Sequence, residues 1–168
     1  MTTKKILVLA GDYLGLEVMV QARRVLDWLH QTGAAAFEFE EGLVGGASYD
    51  AHGTPLTDDT IKLAHAADAV LFGSIGGPKW DGVDYDLRPE NGLLRLRKAM
   101  GLFANLRPAI VFDALAGGSS LKSELVKGLD IMIVRELIGG VYFGEPRGIE
   151  ELPGGGQRGY NTQAYATD

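Results

Sequence analysis

Apolar residues recur with two different periods along the first part of the chain. A continuous apolar run from Lys5 to Ala10 is bounded by Gly11 and predicts a strand that is buried on both faces. The next apolar positions repeat at helical spacing up to Gly33, a residue type that commonly follows the last turn of a helix. These positions are Val18, Ala22, Val25, Leu26 and Leu29. The change of period predicts a strand followed by an amphipathic helix.

The same alternation of strand and helix continues toward residue 80. Residues 37–40 alternate Phe and Glu and predict a second strand, and Ala69 to Gly73 predicts a third, buried one. Between them, Thr57 and two aspartates provide the start of a helix, whereas residues 45–46 and 50–55 are predicted to be loops. The order predicts an α/β fold, with a parallel-rich sheet flanked by helices.

The character of the chain changes beyond residue 81. If Asn91 caps a helix, Leu93, Leu94 and Arg97 share one inward face of it. Residues 102–106 predict a strand, and Arg107 ends it at the Pro108 stop.

Two more elements and a tail follow. Residues 122–127 predict a short helix and residues 131–134 a strand, with Arg135 at its end on the face of Ile131 and Ile133. Glycine clusters then interrupt short β-like pieces, which predicts a C-terminal β-hairpin arm.

Arginines placed among inward-facing apolar residues indicate anion binding. A guanidinium group that is buried needs an anionic partner. Each arginine could instead extend to water or pair with a nearby carboxylate, and these alternatives stay open from the pattern alone. The pattern of the arginines therefore makes an anion-binding site one hypothesis.

Composition narrows the class of protein. The chain has 168 residues, is 46% hydrophobic and 23% charged, and carries a net charge of −6. This predicts a folded globular protein and argues against a nucleic-acid or membrane partner. There are no cysteines, which excludes disulfides and thiolate metal sites. We expect a cytoplasmic protein.

Several rare strings occur in an order typical of one enzyme family. They are Leu102-Phe-Ala-Asn-Leu-Arg-Pro108, Val134-Arg-Glu-Leu137, Gly139-Gly-Val-Tyr-Phe-Gly-Glu-Pro-Arg-Gly148 and Gly76-Gly-Pro-Lys-Trp80. The chain resembles 3-isopropylmalate dehydrogenase, of the isocitrate/isopropylmalate family of decarboxylating dehydrogenases, from Lys4 to Tyr165. A family member is about twice as long. The resemblance therefore implies a single truncated domain over residues 1–168. Residues 1–100 match the first part of the family's first lobe, and residues 101–168 match the start of its second lobe and arm.

The resemblance assigns roles to individual residues. It places Arg97, Arg107 and Arg135 against the substrate carboxylates and makes Tyr165 the proton-donating tyrosine. Glu90 and Leu93 match positions near the nicotinamide, and a loop lining the cofactor cleft contains Gly76 and Gly77. Tyr13 and Leu16 depart from the family pattern, which has glycine and proline there.

The resemblance also implies missing groups. The family's catalytic lysine and its metal-binding aspartates lie in the half that this chain lacks, so we expect no metal site and no cofactor of its own. NAD and Mg²⁺ are expected only if another chain completes the protein. Partners implied are a second copy, giving a homodimer, or a related dehydrogenase subunit.

Three functions remain open at this point. The first is a protein that has lost hydride transfer and acts on a carboxylate-bearing molecule in a non-redox step, as an isomerase, lyase or cyclase. The second is part of an NAD-dependent 3-isopropylmalate dehydrogenase of leucine biosynthesis, completed by another chain. The third is a non-catalytic regulatory partner of a dehydrogenase.

Overall fold

The computed structural model describes residues 2–165, and the chain divides into two compact units at the bond between Met100 and Gly101. The elements of the first unit are β1 (Lys4–Gly11), α1 (Leu14–Gln31), β2 (Phe37–Glu41), α2 (Gly46–His52), α3 (Asp58–Ala66), β3 (Ala69–Ser74) and α4 (Pro89–Ala99). Those of the second are β4 (Ala104–Ile110), α5 (Ser123–Val126), β5 (Asp130–Glu136), β6 (Arg147–Glu151) and β7 (Gln157–Asn161).

The first unit is an α/β layer built on β1. Its three strands are parallel in the order β2-β1-β3. On one face of β1, Ile6 and Val8 pack with Met19 of α1, and on the other Leu7 and Leu9 pack with a larger cluster that includes Leu96 of α4. The predicted parallel-rich sheet flanked by helices is confirmed.

The buried stripe of α1 is offset from the predicted one. Met19 is buried and Ala22 packs against the core behind it, whereas Val18 and Val25 are exposed. The prediction was wrong for those two valines because apolar residues lie almost all round the first turns of this helix. Val18, Val20 and Val25 thus form part of an exposed apolar surface on α1.

Helix α2 was predicted as loop. The glycine-rich composition around its first residue, Gly46, is typical of a loop, but residues Gly46–His52 form a short helix. The cap comes from far away in sequence, because the Asp12 carboxylate accepts hydrogen bonds from the Gly46 and Ala47 amides, at 2.8 Å each. Only the folded sheet end brings these groups together.

Helix α4 begins earlier than predicted. Pro89 occupies its first turn, where the missing amide of proline is not needed, and Arg88 precedes the helix. Asn91 lies inside the helix, and its side chain donates instead to the carbonyl of Tyr85. The predicted cap at Asn91 was therefore wrong, because the cap position is Arg88, three residues earlier.

Strands β4 and β5 form an antiparallel ribbon, and β4 does not stop at Pro108. It continues to Ile110, with Pro108 opposite Met132. Hydrogen bonds from Val111 to Leu129 and from Leu137 to Phe103 show that odd-numbered residues of β4 face β5 with their amides. The nitrogen of Pro108 therefore faces the free edge, where no amide is needed.

Strands β6 and β7 form the predicted hairpin arm. They pair antiparallel, from Arg147 opposite Asn161 to Glu151 opposite Gln157. The turn between them contains three consecutive glycines with positive φ, Gly154 to Gly156.

Candidate functional site

The carboxyl end of the β2-β1-β3 sheet is organised by one buried carboxylate. Asp12 follows β1 and is 3% exposed. Besides the two α2 amides, its carboxylate accepts from the Gly76 amide at 2.9 Å, and its own amide donates to the Ser74 carbonyl at 2.7 Å. Asp12 thus ties the end of β1, the start of α2 and the loop after β3 to one point. Sequence reasoning did not assign it a role, although its position directly after a buried strand was the available signal.

Tyr13 lies beside that point, over the loop that follows β3. A side chain added at Gly77 would meet the Tyr13 ring at 2.2 Å, and the ring packs edge-on against Trp80 at 5.7 Å between centroids. Trp80 donates to Asp50 at 3.1 Å, and Lys79 donates to the same carboxylate at 2.6 Å. Aromatic and charged contacts therefore hold residues 76–80 against the sheet end.

Two of the predicted cofactor residues come together here. The Glu90 carboxylate, in the first turn of α4, lies so close to Gly76 that a side chain there would meet it at 2.6 Å. Leu93 is half-buried one turn further along the same helix. Gly77 is in the same loop, but its open side is filled by the Tyr13 ring. The loop thus offers no open cradle while Tyr13 keeps this position.

Arg97 lies on α4 beside the buried stripe rather than on it. The buried residues of the helix are Pro89, Gly92 and Leu96, and Arg97 is partly exposed. The expectation that its face points inward was wrong because Leu96, one position earlier, takes the core position. The neighbouring Arg95 stabilises the fold, since its guanidinium donates to the Leu56 carbonyl at 2.7 Å and pairs with Asp58.

Arg107 and Arg135 share one face of the β4-β5 ribbon. Asn105 is directly opposite Arg135, and Arg107 is two residues further along β4, so the three side chains project to the same side. We call this the arginine face; it consists of Asn105, Arg107, Ala109, Ile131, Ile133 and Arg135. The predicted placement of Arg135 with Ile131 and Ile133 is confirmed.

Neither arginine of this face is paired with a carboxylate within residues 2–165. The Arg107 guanidinium donates to the Asn105 side chain at 2.8 Å, and that of Arg135 donates to the Tyr142 hydroxyl. Glu136, the neighbour of Arg135, turns away and accepts from the amides of Ile138 and Gly139 at 2.9 and 2.8 Å. Two adjacent cations are thus available to an anion.

The expected burial of these arginines is wrong for this chain. Both are exposed, as are their apolar neighbours Ile131 and Ile133. A two-stranded ribbon has two open faces, and no described element covers this one. The guanidinium groups are therefore hydrated here. That Arg97 joins Arg107 and Arg135 in one anion site stays a prediction.

Tyr165 rests on the turn formed by residues 139–144, which we call the glycine turn. A Cβ atom added at Gly140 would lie 2.2 Å from the Tyr165 hydroxyl oxygen. The Gly140 amide donates to the Ala164 carbonyl at 3.0 Å. Tyr142, the partner of Arg135, belongs to the same turn. A cavity of about 690 Å³ is bordered by the turn, Phe103, Glu136 and Tyr165.

The described residues contain no obvious place for a divalent metal. Among residues 2–165, no three histidine or acidic side chains come together as metal ligands. Asp81, Asp84 and Asp86 are spread over a loop and a short 3-10 turn. No helix within the described part of the chain combines the length and apolarity needed to cross a membrane.

The chain matches the isocitrate/isopropylmalate dehydrogenase family over residues 5–168. It is 69% identical to 3-isopropylmalate dehydrogenase of Rhodospirillum rubrum over 166 residues, which cover 98% of this chain and 45% of that sequence. It is 62% identical to 3-isopropylmalate dehydrogenase of Rhodopseudomonas palustris (strain CGA009) over 167 residues, with 99% and 45% covered. The chain therefore spans about half the length of the curated relatives that it matches.

Solved structures agree at the level of the fold. Isocitrate dehydrogenase from Methylococcus capsulatus superimposes with a TM-score of 0.69 at 23% identity, covering 95% of this chain and 42% of the other. A β-decarboxylating dehydrogenase from Thermococcus kodakarensis in its apo form gives a TM-score of 0.62 at 28% identity, covering 96% and 41%.

Proposed function

Because the chain belongs to the isocitrate/isopropylmalate dehydrogenase family, we propose that it forms the substrate-carboxylate and proton-donor part of a 3-isopropylmalate dehydrogenase. The rest of the active site would come from sequence that its relatives have beyond the matched region. The observation that carries the proposal is the 69% identity to the Rhodospirillum rubrum enzyme across nearly the whole chain. No comparable observation favours a non-redox step or a regulatory role.

The arginine face supplies the binding chemistry. Isopropylmalate carries two carboxylates, and Arg107 and Arg135 are diagonal neighbours whose partners within residues 2–165 are Asn105 and Tyr142, not carboxylates. Arg135 is oriented by the Tyr142 hydroxyl and Arg107 by Asn105, so each guanidinium keeps donors free for a ligand. This arrangement supports binding of one malate-type dianion by Arg107 and Arg135. Arg97 is proposed as a further ligand on the family resemblance alone.

Tyr165 supplies the proposed proton. Its hydroxyl lies at the glycine turn, which also contains Tyr142, the residue that orients Arg135. In the family, NAD accepts the hydride and a divalent metal steadies the enolate. This chain's part is to hold the carboxylates and to protonate carbon after CO₂ leaves. A cofactor that approaches Gly77 would have to displace the Tyr13 ring.

Anion binding by the isolated chain tests the proposal directly. We expect 3-isopropylmalate, citrate and sulfate to raise the Tm in proportion to the logarithm of their concentration above Kd, because they bind only the folded state. Arg107→Met and Arg135→Met should each abolish most of the shift and leave the unliganded Tm unchanged, since both side chains are exposed.

The control for this experiment is Arg158→Met. Arg158 is also a strand arginine, but it pairs with Glu150 at 2.7 Å in the hairpin arm. It should keep the full anion response. An equal loss in Arg158→Met, or an unchanged response in Arg107→Met, would show that the shift reflects general charge screening. Arg97→Met separately tests whether the third arginine belongs to the site.

A further inference from the structure

The glycine turn is a rigid element rather than a loose connection. Its entry is held by the Glu136 carboxylate, which accepts from the Ile138 and Gly139 amides. Within it, the Gly144 amide donates to the Gly140 carbonyl at 2.6 Å, and the Tyr142 amide donates to the Gly139 carbonyl at 3.2 Å. These bonds fix the backbone of the turn relative to the end of β5.

The segment of residues 162–165 packs on that turn at three glycines, where an added side chain would be tight at Gly139 and would overlap the segment at Gly140 and Gly144. A side chain at Gly144 would come within 1.8 Å of the Thr162 carbonyl oxygen. One at Gly139 would meet the Ala164 carbonyl oxygen at 3.2 Å and the Tyr165 ring at 3.3 Å, and one at Gly140 would overlap the Tyr165 ring. Three glycines of one turn thus contact a single four-residue segment. We call this contact surface, formed by Gly139, Gly140 and Gly144, the seat.

Two hydrogen bonds hold the segment in the seat. The Gly140 amide donates to the Ala164 carbonyl at 3.0 Å, directly before Tyr165. The Thr162 hydroxyl donates to the Pro146 carbonyl at 2.8 Å. The Tyr165 ring is 61% exposed, and the turn contacts it at Gly139 and Gly140.

The same turn orients an arginine of the ligand face. Tyr142 lies between Gly140 and Gly144, and its hydroxyl accepts from Arg135, whose guanidinium carbon is 5.5 Å from the centre of the Tyr142 ring. The turn therefore touches both a proposed carboxylate ligand and the proposed proton donor. A shift of the turn would move the two groups together.

We propose that Gly139, Gly140 and Gly144 are positioning residues that hold Tyr165 in fixed register with Arg135 through the glycine turn. The role as a positioning device for a proton donor rests on the proposed function. The packing of Tyr165 on the seat does not depend on the proposed function, so it is tested by ¹⁹F signals and by Tm, which need no enzymatic turnover.

The first experiment observes Tyr165 directly in the full chain. The protein is labelled with 3-fluorotyrosine, and its ¹⁹F signals are assigned with single Tyr→Phe variants. Gly144→Ala should shift the Tyr165 signal toward that of a freely rotating exposed tyrosine and leave the Tyr160 signal unchanged. Gly159→Ala is the matched control, because Gly159 also lacks a positive φ and an added side chain there meets nothing within 4 Å. An unchanged Tyr165 signal in folded Gly144→Ala would overturn the proposal.

A second measurement covers the case in which Gly144→Ala fails to fold. The loss of Tm caused by Gly140→Ala is measured twice, once in the chain that keeps Tyr165 and once in the Tyr165→Ala variant. The clash with the ring exists only in the first, whereas the cost of φ 53° at Gly140 is present in both. The Tm loss should be smaller in the Tyr165→Ala background; equal losses would show that the turn does not seat the ring.

A third measurement addresses the positioning role. In the chain completed by the remainder of the Rhodospirillum rubrum enzyme, Gly139→Ala should lower kcat by up to about 10²-fold while KM changes little, because a displaced proton donor affects the chemical step more than binding. A change confined to KM would refute the positioning role. If the completed enzyme has no activity at all, the proposed function fails and the ¹⁹F result still decides the seat.

Discussion

Tyr13 has a backbone conformation that few residues other than glycine adopt. Its φ is 43° and its ψ −110°, which lies near the first central position of a turn type dominated by glycine. Such strain costs roughly 1–3 kcal/mol. The ring contact with Trp80 offsets part of it, since an aromatic pair contributes about 0.5–1.5 kcal/mol. The family pattern has glycine at this position, so the strain is a local feature of this chain.

This strain predicts an inverted order of two substitutions. Tyr13→Ala removes the ring and keeps the unfavourable φ, whereas Tyr13→Gly removes both, so the glycine variant should be the more stable by about 1 kcal/mol. At Val18, exposed within α1, the order should be the usual one, with alanine more stable than glycine by about 0.5–1 kcal/mol. Urea unfolding of the four variants measures this. The same order at both positions would contradict the strain.

Asp50 holds the loop after β3 in place, because Lys79 and Trp80 of that loop both donate to its carboxylate. The pKa of Asp50 is lowered, first by the hydrogen bond from Lys79 and then by that from Trp80, and the pKa of Lys79 is raised, mainly by its hydrogen bond to Asp50. A lowered carboxyl pKa adds stability that is present above the ordinary pKa and is lost as pH falls through the lowered value. A raised lysine pKa adds stability below its ordinary value, which is lost as pH rises through the raised one.

Asp50→Asn should therefore destabilise the protein most between these two limits. The difference in Tm from the unchanged protein should be constant near neutral pH. It should begin to shrink below about pH 4, where the carboxyl of the unfolded chain becomes protonated, and should be lost as pH falls through the lowered pKa of the folded state. In a Lys79→Met background the Asp50→Asn effect should be smaller at every pH above that limit. A Tm difference that persists undiminished at about pH 3 would contradict the ion-pair account.

Several elements could be predicted from the sequence because their causes are local. The run from Lys5 to Ala10 and the Thr57 cap determine β1 and α3 without help, and the Thr57 side chain accepts from the Thr60 amide as predicted. Helix α2 could not be predicted, because its first turn is capped by Asp12, 34 residues earlier. The passage of β4 through Pro108 likewise depends on which edge of the ribbon is free.

The candidate site residues likewise could be predicted only as far as their placement depends on local sequence. The common face of Arg107 and Arg135 depends on the register between two strands, which the sequence indicated only through the neighbours of each arginine. The contact of Arg135 with Tyr142 and the seat of Tyr165 depend on the path of the glycine turn. Their signal in the sequence was the cluster of glycines between residues 139 and 148.

On the scale of the whole molecule, the β4-β5 ribbon exposes apolar residues on the side opposite the arginine face. We call this side the apolar face; it consists of Leu106, Pro108, Ile110, Met132 and Val134. Leu106 and Val134 are directly opposite each other and each is 63% exposed. A two-stranded ribbon with uncovered apolar residues is marginally stable alone and tends to associate.

We predict that the isolated chain is at least a dimer, associated through the apolar face. Leu106→Lys should shift the population toward a smaller species at micromolar concentration while leaving the anion response of the arginine face intact, because the two side chains project to opposite sides. Light scattering measures the mass. A mass of 18.0 kDa for the unchanged chain, together with cooperative melting, would contradict the prediction.

The central claim is that this chain supplies the carboxylate-binding and proton-donating part of a dehydrogenase whose remainder lies in the sequence its relatives have beyond the matched region. The most direct measurement is NAD reduction with 3-isopropylmalate and Mg²⁺ after coexpression with the remainder of the Rhodospirillum rubrum enzyme. We predict no turnover by either piece alone, turnover by the complex, and a loss of at least about 10²-fold with Arg107→Met or Tyr165→Phe. A stable complex without turnover, or turnover that is indifferent to both substitutions, would contradict the claim.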